Sequence, residues 1–247
     1  MTPITPLVLF VFAIAAFLTG LSKGGLGGMM GALITTLMAL VLPIKNVIGL
    51  VLPILMPGDV FAVAAHWRRW DRRLILALLP GALIGVTLGT FILTNIDSLA
   101  LRRGLGILVL VFVAYRFIER RVSTWLHYSK RGWHGILAGG VSGLASTLGN
   151  AGGPPISVYL LMQNVEPRIF AATAALFFTL LNWVKVPYYY YAGLFDFNLL
   201  VRTIWLAPLV PLGVWIGRWV VLRINKSAFE LVVLSLLGIS AILLLIS

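Results

Sequence analysis

Gly143-Leu144-Ala145-Ser146-Thr147-Leu148-Gly149-Asn150-Ala151-Gly152-Gly153-Pro154-Pro155 interrupts a long apolar run with glycines, polar side chains and a proline pair. A shorter counterpart, Gly20-Leu21-Ser22-Lys23-Gly24-Gly25-Leu26-Gly27-Gly28, interrupts another apolar run at the matching place in the first half. A helix in hydrocarbon must satisfy its own backbone groups, so a break at membrane depth survives only where protein or a wet cavity covers it. Two such breaks in corresponding positions point to the central site of a transporter.

Working outward from the breaks, the whole chain reads as membrane. Of 247 residues, 60% are hydrophobic and 11% charged, and the mean hydropathy is +1.03. A soluble domain carries roughly twice that charge. Apolar segments fall at about 6–21, 26–42, 47–65, 74–94 and 99–118, then at about 135–148, 152–164, 169–187, 199–222 and 228–247. The expected fold is therefore an all-α polytopic membrane protein, residues 1–247 forming a single transmembrane domain. The first two segments of each half are shorter than the roughly 20 residues a full span needs. Each pair is expected to form a helical hairpin with its glycine break at the tip.

The halves overlay. Asp59 lies 39 residues after Gly20, and Asn182 lies 39 after Gly143. Pro80, Gly85 and Gly89 repeat as Pro208, Gly213 and Gly217. Repeat 1 is expected over about 5–118, a cytoplasmic linker over about 119–134, and repeat 2 over about 135–247. Arginines at 68, 69, 72 and 73, and Arg116, Arg120, Arg121, Lys130 and Arg131, mark two loops as cytoplasmic. The loop from Tyr188 to Asn198 has no Lys or Arg and fits outside. Arg102 and Arg103 run against this pattern. The corresponding loops of the halves face opposite sides, so the repeats, about five helical segments each, are inverted in topology. Both termini are expected outside a bacterial inner membrane. Ala13-Ile14-Ala15 resembles a cleavage site, but no Lys or Arg precedes it, and a cleaved leader is not expected.

Several side chains could hold a small anion. Lys23 sits inside the first break, where an ammonium should face a cavity or an anion; snorkelling to the headgroups is the plainer alternative. Gly24, Gly25, Gly27 and Gly28 would let backbone N–H groups approach a ligand. In the second break Ser146, Thr147 and Asn150 offer neutral hydrogen bonds. A half-helix starting at Pro154 would aim the N–H groups around Gly152 and Gly153 at the same spot. A tight turn built from small residues is the alternative there.

Asp59 follows Met56-Pro57-Gly58, where a kink or unwinding is expected. A carboxylate at that depth is paired or protonated. Lys23 is a partner for it, and proton coupling and a purely structural pair are equally open. Asn182 joins the candidates through its match with Asp59. Lys185, one turn further on, either lines the pathway or anchors at an interface beside Pro187 and the Tyr188–Tyr191 run.

The stripes Gly81-x3-Gly85-x3-Gly89 and Gly135-x3-Gly139-x3-Gly143 indicate close helix packing, within a protomer or in a homodimer. Three histidines without an i, i+4 pair and seven scattered carboxylates suggest neither a metal site nor hydrolytic catalysis, and no P-loop is present. No cofactor, no nucleic-acid partner and no enzyme activity are expected; the partners are a small anion and the lipid bilayer.

The Gly20–Gly28 break, the Asn150-Ala-Gly-Gly-Pro-Pro155 stretch and the two-half layout resemble the sulfite exporter TauE/SafE family of membrane permeases, over essentially the whole chain. The resemblance implies a secondary transporter of sulfite or organosulfonates such as sulfoacetate. A passive anion channel of the same fold is the alternative, and an embedded enzyme or assembly factor a more distant one.

Overall fold

The computed structural model describes residues 5–23, 30–122, 133–221, 223 and 226–246. Among these every regular element is helical: α1 (Pro6–Leu21), α2 (Met30–Ala39), α3 (Ile44–Ala65), α4 (Arg72–Asn95), α5 (Ser98–Val122), α6 (Trp133–Gly149), α7 (Gly153–Met162), α8 (Pro167–Tyr191), α9 (Phe197–Thr203), α10 (Leu209–Val221) and α11 (Lys226–Ile246). Local chemistry sets several starts. Thr5 caps α1 by accepting from the Val8 N–H, with Pro6 in the first turn. Asp71 caps α4 through the N–H groups of Arg73 and Leu74.

Among the described residues four helices are long and apolar enough to cross a membrane: Ile44–Ala65, Arg72–Asn95, Ser98–Phe117 and Pro167–Tyr191. A fifth span results if α9, the short 3₁₀ turn Ile204–Leu206 and α10 are counted together, bent by 51°. The sequence reads that stretch as one segment. Pro208 and Pro211 each remove a backbone donor there, which is reason enough for a break. The four short segments of the sequence reading are α1, α2, α6 and α7. Helices α2 and α7 have ten residues each, about 15 Å of rise, half the thickness of the hydrocarbon core.

Of the kink or unwinding expected at Pro57-Gly58, the unwinding is not found. Helix α3 runs unbroken from Ile44 to Ala65, with Pro53 and Pro57 inside it. Pro57 forfeits one intrahelical bond without unwinding the chain, and Gly58 serves a packing purpose described below. Helix α5 is described to Val122 and α6 from Trp133; residues 123–132, within the expected linker of about 119–134, lie outside the described set.

The two glycine stripes face each other. A Cβ on Gly81 or Gly85 would overlap carbonyl oxygens of α6, and one on Gly139 or Gly143 would overlap those of α4. Stripes that could have served a homodimer are thus used inside the protomer, where bare backbones bring two helices into dispersion contact. The same device joins α1 to α10, where Gly20 meets Val210 and Gly213 meets Phe17. The first helix of each half therefore packs on the fourth segment of the other. Helix α3 packs on α8, and α5 packs on α11. Leu76, Ile84, Leu88 and Phe91 on α4 stay exposed on the perimeter, while the buried ionised groups lie inside. Hydrocarbon-facing apolar side chains around a polar interior suit a lipid surround.

Candidate functional site

Helix α1 ends at Leu21, and Ser22 and Lys23 continue it in a widened π-type turn, a geometry frequent at functional sites. The stem of Lys23 lies against Gly58 of α3, where an added Cβ would sit 2.8 Å from Lys23 Cγ. That close approach is what Gly58 supplies. It delivers Lys23 Nζ to Asp59 Oδ1 at 2.5 Å. Asp59 is 2% exposed, whereas the Lys23 side chain keeps 20%.

The other carboxylate oxygen of Asp59 accepts from Asn182 Nδ2 at 2.7 Å. The amide oxygen of Asn182 in turn accepts from Lys185 Nζ at 3.2 Å. These partners fix the orientation of the amide, because only its oxygen can face an ammonium and only its NH₂ can face a carboxylate. Asn182 thus links the two charged groups as a dipole.

Lys185 is fully buried. Besides Asn182 it donates to Ser146 Oγ at 2.7 Å, to the Ser146 carbonyl at 3.0 Å and to Asn150 Oδ1 at 3.3 Å. Asn150 closes α6 in the left-handed region at φ 53°, a conformation asparagine tolerates better than most residues. Its backbone N–H returns to the Ser146 carbonyl, so the tip presents its side chain inward. Asn150 Nδ2 donates to Thr35 Oγ1 on α2 at 3.0 Å, tying the second tip to the first half.

Most of the residues nominated from sequence therefore meet. Lys23, Asp59, Asn182, Lys185, Ser146 and Asn150 form one hydrogen-bonded chain. Gly152 lies beside it: its carbonyl accepts from Ser142 Oγ at 2.7 Å, and an added Cβ would meet Ser146. Gly153 and Pro154 begin α7, as the reading of a proline-started half-helix expects. Thr147 stands apart. Its hydroxyl donates to the Gly143 carbonyl and its Cβ faces Gly89 of α4, so it packs the helix pair. Gly24, Gly25, Gly27 and Gly28 lie outside the described residues. The interface-anchor reading of Lys185 does not survive its burial.

Three participants were missed: Thr35, Ser142, and Tyr189, whose hydroxyl donates to the Thr147 carbonyl at 2.9 Å. Hydroxyl residues in apolar helices usually bond their own backbone, and nothing in their spacing separates those that cross to a neighbour.

Two lysine amines and one carboxylate share this interior, and among the described residues the partners of Lys185 are all neutral oxygens. Helices faced with apolar side chains around such a polar chain are the build of a membrane transport protein. The model of the sulfite exporter TauE/SafE family matches residues 12–244, and the chain belongs to that family of membrane transporters of sulfite. No curated protein and no solved structure matches it.

Proposed function

We propose that this chain is a secondary transporter that moves small sulfur-containing anions, sulfite or organosulfonates such as sulfoacetate, across the bacterial inner membrane. The observation that carries the proposal is Lys185: a fully buried lysine whose partners, among the described residues, are all neutral acceptors. Burying an unpaired charge is expensive, and a small anion arriving between Lys185 and Lys23 would neutralise it. Ser146, Asn150 and Asn182 would then hydrogen-bond the anion's oxygens. Cross-packing of α1 on α10 and α4 on α6 supports two inverted repeats, about 5–118 and 135–247, that rock about the site. In that reading both termini lie outside and the Arg-rich loops face the cytoplasm.

Asp59 is the proton-coupling candidate. A monoanion would balance the cluster with Asp59 ionised. A dianion would balance both ammonium groups only with Asp59 protonated, so its movement would carry a proton with it. The closed packing around Asp59, Asn182 and Lys185 favours such a carrier over an open anion channel.

The test is uptake of sulfite and sulfoacetate into proteoliposomes, with and without a pH gradient. Accumulation above equilibrium is expected, with a loss of two orders of magnitude or more in Lys185→Met, as for removal of a preorganised charge (about 10²–10³-fold). Wild-type rate and affinity in Lys185→Met, or preference for a neutral or cationic solute, would refute it. Simple equilibration without gradient response would favour the channel.

A further inference from the structure

Two cavities lie at opposite ends of α3. One of about 420 Å³ sits where α3 has ended and α4 and α8 begin, with Arg69, Arg72, Arg73 and Ile169 in its lining. The other, about 280 Å³, sits where α3 begins and α4 and α8 end, with Lys45, Asn46, Thr94 and Ala192 in its lining. Helices of 22 to 25 residues separate them, about 33–38 Å of rise and enough to cross a bilayer.

The cavities are related by sequence. A shift of 123 residues carries Gly20 onto Gly143 and Asp59 onto Asn182. The same shift carries Asn46 at the start of α3 onto Ile169 at the start of α8. Beyond Asp59 the register lengthens, reaching 128 at Pro80 and Pro208, so the α3–α4 loop with Arg69, Trp70 and Asp71 corresponds as an element to the α8–α9 loop with Ala192, Gly193 and Leu194. Each cavity is thus lined by the same two parts of the repeats, the start of one crossing helix and the loop that follows the other. Asp59 and Asn182 are counterparts as well, and they touch. Two positions exchanged by a two-fold rotation can touch only beside its axis.

We infer that the two cavities are counterpart antechambers of one substrate path, exchanged by an axis that passes between Asp59 and Asn182, and that the arginine-lined one loads small anions from the cytoplasmic face. The inference rests on the anion-carrier reading above. Its directional part comes from asymmetry. Three arginines line the first antechamber, and its one carboxylate, Asp71, already accepts two N–H groups as the cap of α4. Lys45 is the single charged residue in the second lining. A cleft lined by one sign of charge concentrates the opposite ion, so the two openings should capture anions unequally.

The chain contains no cysteine, so single-cysteine variants report cleanly. Arg69→Cys and Ala192→Cys, in the full-length protein in inside-out and right-side-out vesicles, are treated with a membrane-impermeant thiol reagent. Labelling of Arg69→Cys from the cytoplasmic face only, and of Ala192→Cys from the opposite face only, is expected. Labelling of both from one face overturns the inference. In Arg72→Gln/Arg73→Gln, half-saturation for sulfoacetate offered on the arginine side should rise about tenfold, more at low ionic strength, with the other side unchanged. An equal change on both sides, or none, overturns the loading role. The labelling needs no substrate, so it still decides the two-antechamber layout if sulfur anions prove not to be the cargo.

Discussion

The two tips satisfy a buried lysine in opposite ways. Lys23, at the first, reaches a carboxylate directly and keeps a fifth of its side chain exposed. Lys185, against the second, has no exposure and is surrounded by amide, hydroxyl and carbonyl oxygens. In low dielectric a counter-ion and a cage of dipoles both make burial tolerable, and among the described residues Lys185 has the second alone. The comparison teaches that the second half holds the more deeply buried lysine, although the first half carries the lysine that stands out in the sequence. Asn182 joins the two solutions, passing the influence of Asp59 to Lys185 through one oriented amide.

The most damaging way to break the comparison is Asp59→Ala. It strips Lys23 of its counter-ion and leaves the Asn182 NH₂ without an acceptor, so a stability loss of about 3–5 kcal/mol is expected, as for other broken buried pairs. Thermal unfolding in detergent measures it, and a loss under 1 kcal/mol would show that the ion pair is idle.

A gentler change sharpens the comparison. In Asp59→Asn/Asn182→Asp the carboxylate crosses the axis and pairs with Lys185 instead of Lys23. If the tips are counterparts, the double variant should regain most of the stability lost in Asp59→Asn alone, a coupling of about 1–3 kcal/mol in a double-mutant cycle. Strict additivity would show that the two positions do not share one charge network.

The smallest effects come from glycines. An added Cβ on Gly152 meets the Ser142 carbonyl at 2.7 Å, rigid backbone, whereas one on Gly58 meets the stem of a partly exposed lysine. Gly152→Ala should therefore cost about 1–3 kcal/mol, the ordinary range for overpacking, and Gly58→Ala less. Gly58→Ala should nevertheless impair transport by shifting Lys23 from Asp59. Equal melting temperatures for the two variants would mean that the second tip is as yielding as the first.

Much of this site was legible in the sequence, and unevenly so. A lysine, an aspartate and polar glycine-rich breaks are conspicuous in apolar segments because each is costly there. The 39-residue offset then matched Asp59 to Asn182. Lys185 was misleading: its neighbours Pro187 and four tyrosines are the usual signature of a membrane interface, and only packing reveals that Lys185 is buried, together with Tyr189, on the inner face of α8. Thr147 erred the other way, polar by type but turned toward α4. The glycine stripes announced close packing without naming the partner, since bare backbone fits any equally bare surface.

By itself, the sequence determined the solvent. Its hydropathy requires helices that satisfy their own backbones in lipid, and its glycines and prolines mark where those helices must stop. Which side chains meet was decided by tertiary structure alone. Lys185 stands 39 residues from Ser146 and Asn182 stands 123 from Asp59, and no local preference acts over such separations. The packing of α3 on α8 brings Asn182 and Lys185 to the ion pair of Lys23 and Asp59.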